Sequence, residues 1–184
     1  MFTTTSTVPL DVATVSGGLL IARLVLGLAM AAHGTQKLFG WFGGYGLAGT
    51  GGYFEGLGFR PGRLFAAAAA LGEITGGLLV TLGLFGPIGP ALMISTMLVA
   101  IATVHWSNGF FASGNGVELP FLYAAGALAL AFTGFGGFSL DALAGLAGLY
   151  SPGFVTLAVI AGVLGGLGTL ALRQSAGKPV EAHS

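Results

Sequence analysis

The chain has 184 residues, 54% of them hydrophobic and only 7% charged, and its six basic and six acidic side chains cancel. A soluble domain carries about 25% charge, so with a mean hydropathy of +0.92 the composition is that of an integral membrane protein, and nothing in the neutral balance suggests nucleic-acid binding. The absence of cysteine excludes disulfides, thiolate zinc sites, iron–sulfur clusters, covalent haem attachment and thiol catalysis from this chain.

Residues 1–15 read as an N-terminal tail with Asp11 and no basic run. Ala29-Met30-Ala31 resembles a signal-peptidase site, but Arg23 interrupts the run before it and no basic start precedes it. The segment is therefore expected to be retained as a helix. A span needs about 20 largely apolar residues, and five segments come close: 16–39, 63–85, 88–106, 119–133 and 152–172. The fourth is the shortest, with Pro120 suiting its first turn. The predicted fold is an all-α membrane bundle of four to five helices, with a long aromatic, glycine-rich loop after the first. That loop, 40–62, carries Trp41, Phe42, Tyr45, Tyr53, Phe54 and Phe59 and is expected to hold a short interfacial or re-entrant helix around 51–57. Gly86-Pro87 predicts a tight hairpin between the second and third spans. Within 134–151, Ser139 is placed to cap a short helix with Asp141 in its first turn. The bundle proper is assigned to 16–143, and 144–184 to an extra helix and a polar tail.

With five spans, Lys37, Arg60, Arg63, Arg173 and Lys178 share one face. The positive-inside rule then puts the C-terminus in the cytoplasm.

The informative residues are the ionisable ones inside these spans. A charge at the bilayer centre costs about 2.5–3.5 kcal/mol on insertion scales, so each calls for a partner or a use. At about 1.5 Å per residue, Lys37 lies roughly 5 Å, His33 roughly 10 Å and Glu73 roughly 14 Å below the basic face, with Arg23 roughly 25 Å deep. His105 and Glu118 fall near that same face. His33, Lys37, Glu73, His105 and Glu118 thus share one half of the bilayer, with Gln36 beside them. Glu73 is expected to pair with Lys37 or His33, and Arg23 to stand apart. Two readings remain open: a polar site for a quinone or other small head group, or ion pairs that only lock helix packing. Gly72-xxx-Gly76 suggests close packing of the second span on the first, and Gly162-xxx-Gly166 a further helix contact, within the chain or between copies. A proton path would want acidic residues in the outer half. Haem b through His33 and His105, or a metal on two His with Glu73 and Glu118, has weak support, and no metal site is assigned. Gly49-Thr-Gly-Gly is not a nucleotide loop, since no strand precedes it and no GK[ST] follows.

ARLVLGLAMAAHGTQKLFG, residues 22–40, resembles the first-helix signature of DoxX-type membrane proteins. LGEITGGLLVTLGLFGPIGPALMISTMLVAIATVHW, residues 71–106, resembles that family's second and third helices. The Glu before the fourth helix and the Ser-Leu-Asp in 116–143 also fit, whereas the last helix lies outside the pattern. The resemblance implies a bacterial inner-membrane protein with partners among membrane or redox proteins, and the Gly162-xxx-Gly166 spacing adds a homo-oligomer as an alternative. The family is linked to thiosulfate:quinone oxidoreduction and to complexes with superoxide dismutase and sulfurtransferase. Carried across by residue, it points to Arg23, His33, Lys37, Glu73 and His105. The functional expectation is a subunit of a redox or oxidative-stress complex that binds quinone. The alternatives are a non-catalytic scaffold and, behind both, a small-solute transporter, for which no inverted repeat is visible.

Overall fold

The computed structural model describes residues 11–174. Helix α1 spans Val12–Phe39. It starts four residues before the expected boundary because Asp11 accepts from the Thr14 amide and caps it. Gly40, with φ +76, ends it in the left-handed conformation. Helix α2, Gly46–Gly56, is the short helix expected in this loop, begun five residues earlier. Helix α3 is Gly62–Leu82 and α4 is Ile88–Ala100. Helix α4 continues through a π turn at Ile101–His105 and a 3₁₀ turn to Asn108. Helix α5 is Glu118–Thr133, α6 the short Leu140–Leu143 capped by Ser139, and α7 Pro152–Ala171. No strand occurs among the described residues. Residues 1–10 of the tail, and Lys178 with the rest of the polar end, lie outside them.

Four helices are long and apolar enough to cross a membrane: α1, α3, α4 with its extension, and α7. Helix α5 is shorter, at 16 residues, yet it runs between the same two ends of the bundle. It begins beside the end of α4, where Glu118 N bonds Phe110 O. It ends at a segment that docks on the α3–α4 turn through Asp141 N to Gly83 O, 2.9 Å. The end bearing Lys37, Arg60, Arg63 and Arg173 is called the basic end below, and the end with the α3–α4 turn the turn end.

The helices approach closely where side chains are missing. A Cβ on Gly77 would lie 2.5 Å from Gly27 O and 2.6 Å from Ala31 N, and one on Gly34 would lie 2.6 Å from Ala70 O. These glycines make the α1–α3 seam. The expected seam at Gly72 and Gly76 is corrected: those residues face α4, beside Thr96 and beside Gly89, Leu92 and Met93. The two faces of α3 are about 100° apart per residue, so moving from Gly76 to Gly77 changes the neighbour. Gly162 and Gly166 press on Ala91 and Ser95 of α4, so that pair is used within the chain. Helix α7 is thus part of the bundle and not an appendage. Its end is tied across by Gln174 N to Gly58 O, 2.9 Å.

Gly77→Leu must push apart two backbones, and overpacking of this kind costs about 1–3 kcal/mol. Gly18→Ala meets nothing within 4 Å. Thermal unfolding in micelles is expected to show a lowered midpoint for the first and an unchanged one for the second.

Candidate functional site

At the basic end, α1, α2, α3 and α4 line a half-open cavity of about 830 Å³, to which Thr169 of α7 also contributes. Its walls are mainly apolar and aromatic, with Tyr53, Phe54, Phe59 and Phe65 contributing rings. Phe59 is fully buried and stacks with Phe54 and Phe65 at ring separations of 6.0 and 5.2 Å. Loop 40–62 therefore folds over the cavity, and Glu55 accepts from the Gly62 amide at 3.2 Å to begin α3.

The charged feature of the wall is an ion pair. Lys37 Nζ lies 2.6 Å from Glu73 Oε2, with Glu73 buried and the Lys37 side chain 26% exposed. The α1–α3 seam is what permits this reach, since Gly34 brings α1 against Ala70, one turn from Glu73. An ammonium has three N–H groups and Glu73 takes one, so Lys37 retains donors for a ligand. The hydroxyls of Thr96, Thr103 and Thr169 donate to carbonyls of their own helices, so they offer the cavity only lone pairs.

The structure brings Gln36, Lys37, Glu73 and His105 to this wall. It leaves the other expected residues elsewhere. His33 is exposed, with Nδ1 3.2 Å from Gln36 Oε1 and its ring edge-on to Tyr123 at 5.7 Å. Glu118 accepts from the Ala112 amide at 2.7 Å and closes the loop before α5. Arg23 sits at the turn end, in a separate polar cluster.

That cluster is built on Asp141, which the sequence reading treated only as a dipole partner of α6. Asp141 is buried and accepts from Phe85 N at 2.8 Å, Gly86 N at 2.7 Å and the Tyr150 hydroxyl at 2.6 Å. Phe85 and Gly86 both have positive φ, +61 and +54. Their adjacent amides form a concave anion site for the carboxylate, which offsets the strain of a left-handed phenylalanine. Arg23 donates to Phe138 O and lies in the field of Asp141. Non-helical backbone within a membrane needs such partners. Gly137 N finds Ser16 Oγ at 3.0 Å, and Gly136 O accepts from Ser139 Oγ at 2.7 Å. An acidic residue in an apolar run was the signal for Asp141. No group of three potential metal ligands occurs among the described residues.

In comparison with known proteins, the DoxX family model matches residues 18–106. No curated protein and no solved structure matches the chain. The matched region holds α1 to α4, hence Lys37, Glu73 and His105, but not α5 to α7.

Breaking a buried charge cluster costs about 3–5 kcal/mol. Asp141→Asn is expected to lose that order of stability, and Arg23→Met/Asp141→Asn less than the sum of the single changes, as measured by denaturant unfolding in micelles. Burial first, then the hydrogen bond to Asp141, raises the Tyr150 phenol above its ordinary value. Its contribution is therefore full below about pH 10 and is lost as pH rises through the higher folded value. Tyr150→Phe is expected to flatten the alkaline limb of the stability–pH profile.

Proposed function

We propose that this DoxX-family membrane protein, matched over residues 18–106, binds a quinone or similar small polar head group in the cavity at its basic end. The observation that carries the reading is the pairing of Lys37 with the buried Glu73 in the wall of an aromatic cavity of about 830 Å³. Ligand pockets of this kind hold about 300–1,000 Å³, with few polar groups among apolar walls. A ring packs against the aromatic wall that Tyr53, Phe54 and Phe65 present, and a carbonyl oxygen takes a hydrogen bond from Lys37. Glu73 keeps the ammonium in place and balances its charge, so an uncharged ligand enters a neutral site. His33, outside the wall, has no direct part in this version of the site.

In that role the chain is the quinone-binding member of a redox or oxidative-stress complex in a bacterial inner membrane, with its basic end on the cytoplasmic side. Any sulfur chemistry belongs to a partner, because this chain has no cysteine. A scaffold role is favoured by a different observation: Trp41, Phe42, Tyr45, Trp106, Phe110 and Phe111 are all exposed at the basic end. Aromatic side chains there also suit the headgroup level of a bilayer.

The two readings separate in a binding measurement. Purified full-length protein in lipid nanodiscs is expected to bind tetramethylbenzoquinone saturably. Lys37→Met and Glu73→Gln are each expected to weaken binding at least tenfold, and His33→Ala less than twofold. No saturable binding, or equal binding in all four proteins, returns the pair to a packing role.

A further inference from the structure

Helix α4 widens into a single π turn at Ile101–His105, and Thr103, Val104 and His105 of that turn line the cavity. Single π turns inside α-helices recur at functional sites. Here the turn delivers a histidine whose tautomer can be read from its partner. His105 Nδ1 lies 2.8 Å from the carbonyl oxygen of Asn115. A carbonyl only accepts, so Nδ1 carries a proton, and in the neutral form of the ring the lone pair is on Nε2.

Asn115 is held for this purpose by the loop. It has φ +61, and its amide donates to Ala112 O at 2.9 Å. Its carbonyl also accepts from Asn108 Nδ2 at 3.3 Å. Asn115 is not part of the cavity wall, so the anchored edge of the imidazole is turned to the loop. Nε2 has no protein partner among the described residues. The site therefore carries unequal polar groups on different helices: a charged donor, Lys37, on α1, and a neutral nitrogen acceptor, His105, on the extension of α4.

We propose that His105 Nε2 accepts a hydrogen bond from a hydroxyl of the bound ligand, so that the cavity prefers hydroxylated aromatic rings of the hydroquinone class to their O-alkylated counterparts. The proposal rests on the cavity being the ligand site. A ring with oxygens on opposite edges meets Lys37 with one and His105 with the other. An O-methyl group in place of the hydroxyl leaves Nε2 buried against a group that cannot donate, and sites built for a hydroxyl reject analogues lacking it.

The test compares tetramethylhydroquinone, its dimethyl ether and tetramethylbenzoquinone, under anaerobic conditions, on the full chain in nanodiscs. Wild type is expected to bind the hydroquinone at least tenfold more tightly than the ether. His105→Leu is expected to bring the hydroquinone-to-ether affinity ratio close to one. His105→Gln, whose amide can donate to Asn115 and accept from the ligand, is expected to keep part of it. Nitrogen-15 spectra of wild type, which need no variant to fold, are expected to show His105 protonated on Nδ1, with the Nε2 resonance moving on addition of hydroquinone. A preference unchanged in His105→Leu, or a ring protonated on Nε2, overturns the assignment. Benzoquinone binding without any hydroquinone preference overturns this inference alone. Failure of wild type to bind any of the three overturns the cavity reading with it.

Discussion

Helices α1 and α3 lie nearly backbone to backbone, because Gly27, Gly34 and Gly77 put no side chain between them. In lipid there is no general hydrophobic force to drive helices together, so close van der Waals contact and polar links must hold them. The glycine seam supplies the first and makes the second possible. Toward the basic end it brings Lys37 within 2.6 Å of Glu73. Toward the turn end it lays the Arg23 guanidinium against Gly83, whose lack of a Cβ leaves room for it. Separating the two helices by the width of a methyl group would disturb both.

The two polar centres solve the same problem differently. At the turn end the carboxylate is consumed. Asp141 is saturated by two amides and a phenol, and Arg23 serves the irregular backbone between α5 and α6 through one nitrogen, its buried Nε and Nη1 having no hydrogen-bond partner among the described residues. At the basic end the carboxylate is equally buried, but the ammonium is partly open to a cavity and keeps unspent donors. Both cations keep unspent donors, and what differs is where those donors lie. Those of Arg23 are closed in by protein, and those of Lys37 face space that a ligand can occupy.

Much of this was legible in the sequence, and the exceptions have physical causes. Hydropathy and the Gly-Pro turn located the long helices, and depth counting paired Glu73 with the correct end of α1. The error at Gly72 and Gly76 arose because a small-residue spacing marks a close contact without saying which neighbour makes it. His33 and Lys37 share a helix face by spacing, yet only Lys37 reaches the cavity, because loop 40–62 folds back over the end of α1 and not over its middle. Asp141 was visible, but its role depended on two left-handed residues 56 and 55 positions earlier in the chain. No local pattern announces a contact at that range. The π turn has no sequence signature at all.

Helix α5, at 16 residues, covers about 24 Å, whereas its neighbour α1, at 28, covers about 42 Å. The hydrocarbon layer is about 30 Å thick. Phe121, Leu122, Leu128 and Phe132 of α5 are exposed, so the acyl chains beside them meet an apolar band shorter than their own layer. The residues flanking α5 must then supply the rest of that band, and Phe110, Phe111 and Phe138, all exposed, are the side chains placed to do so.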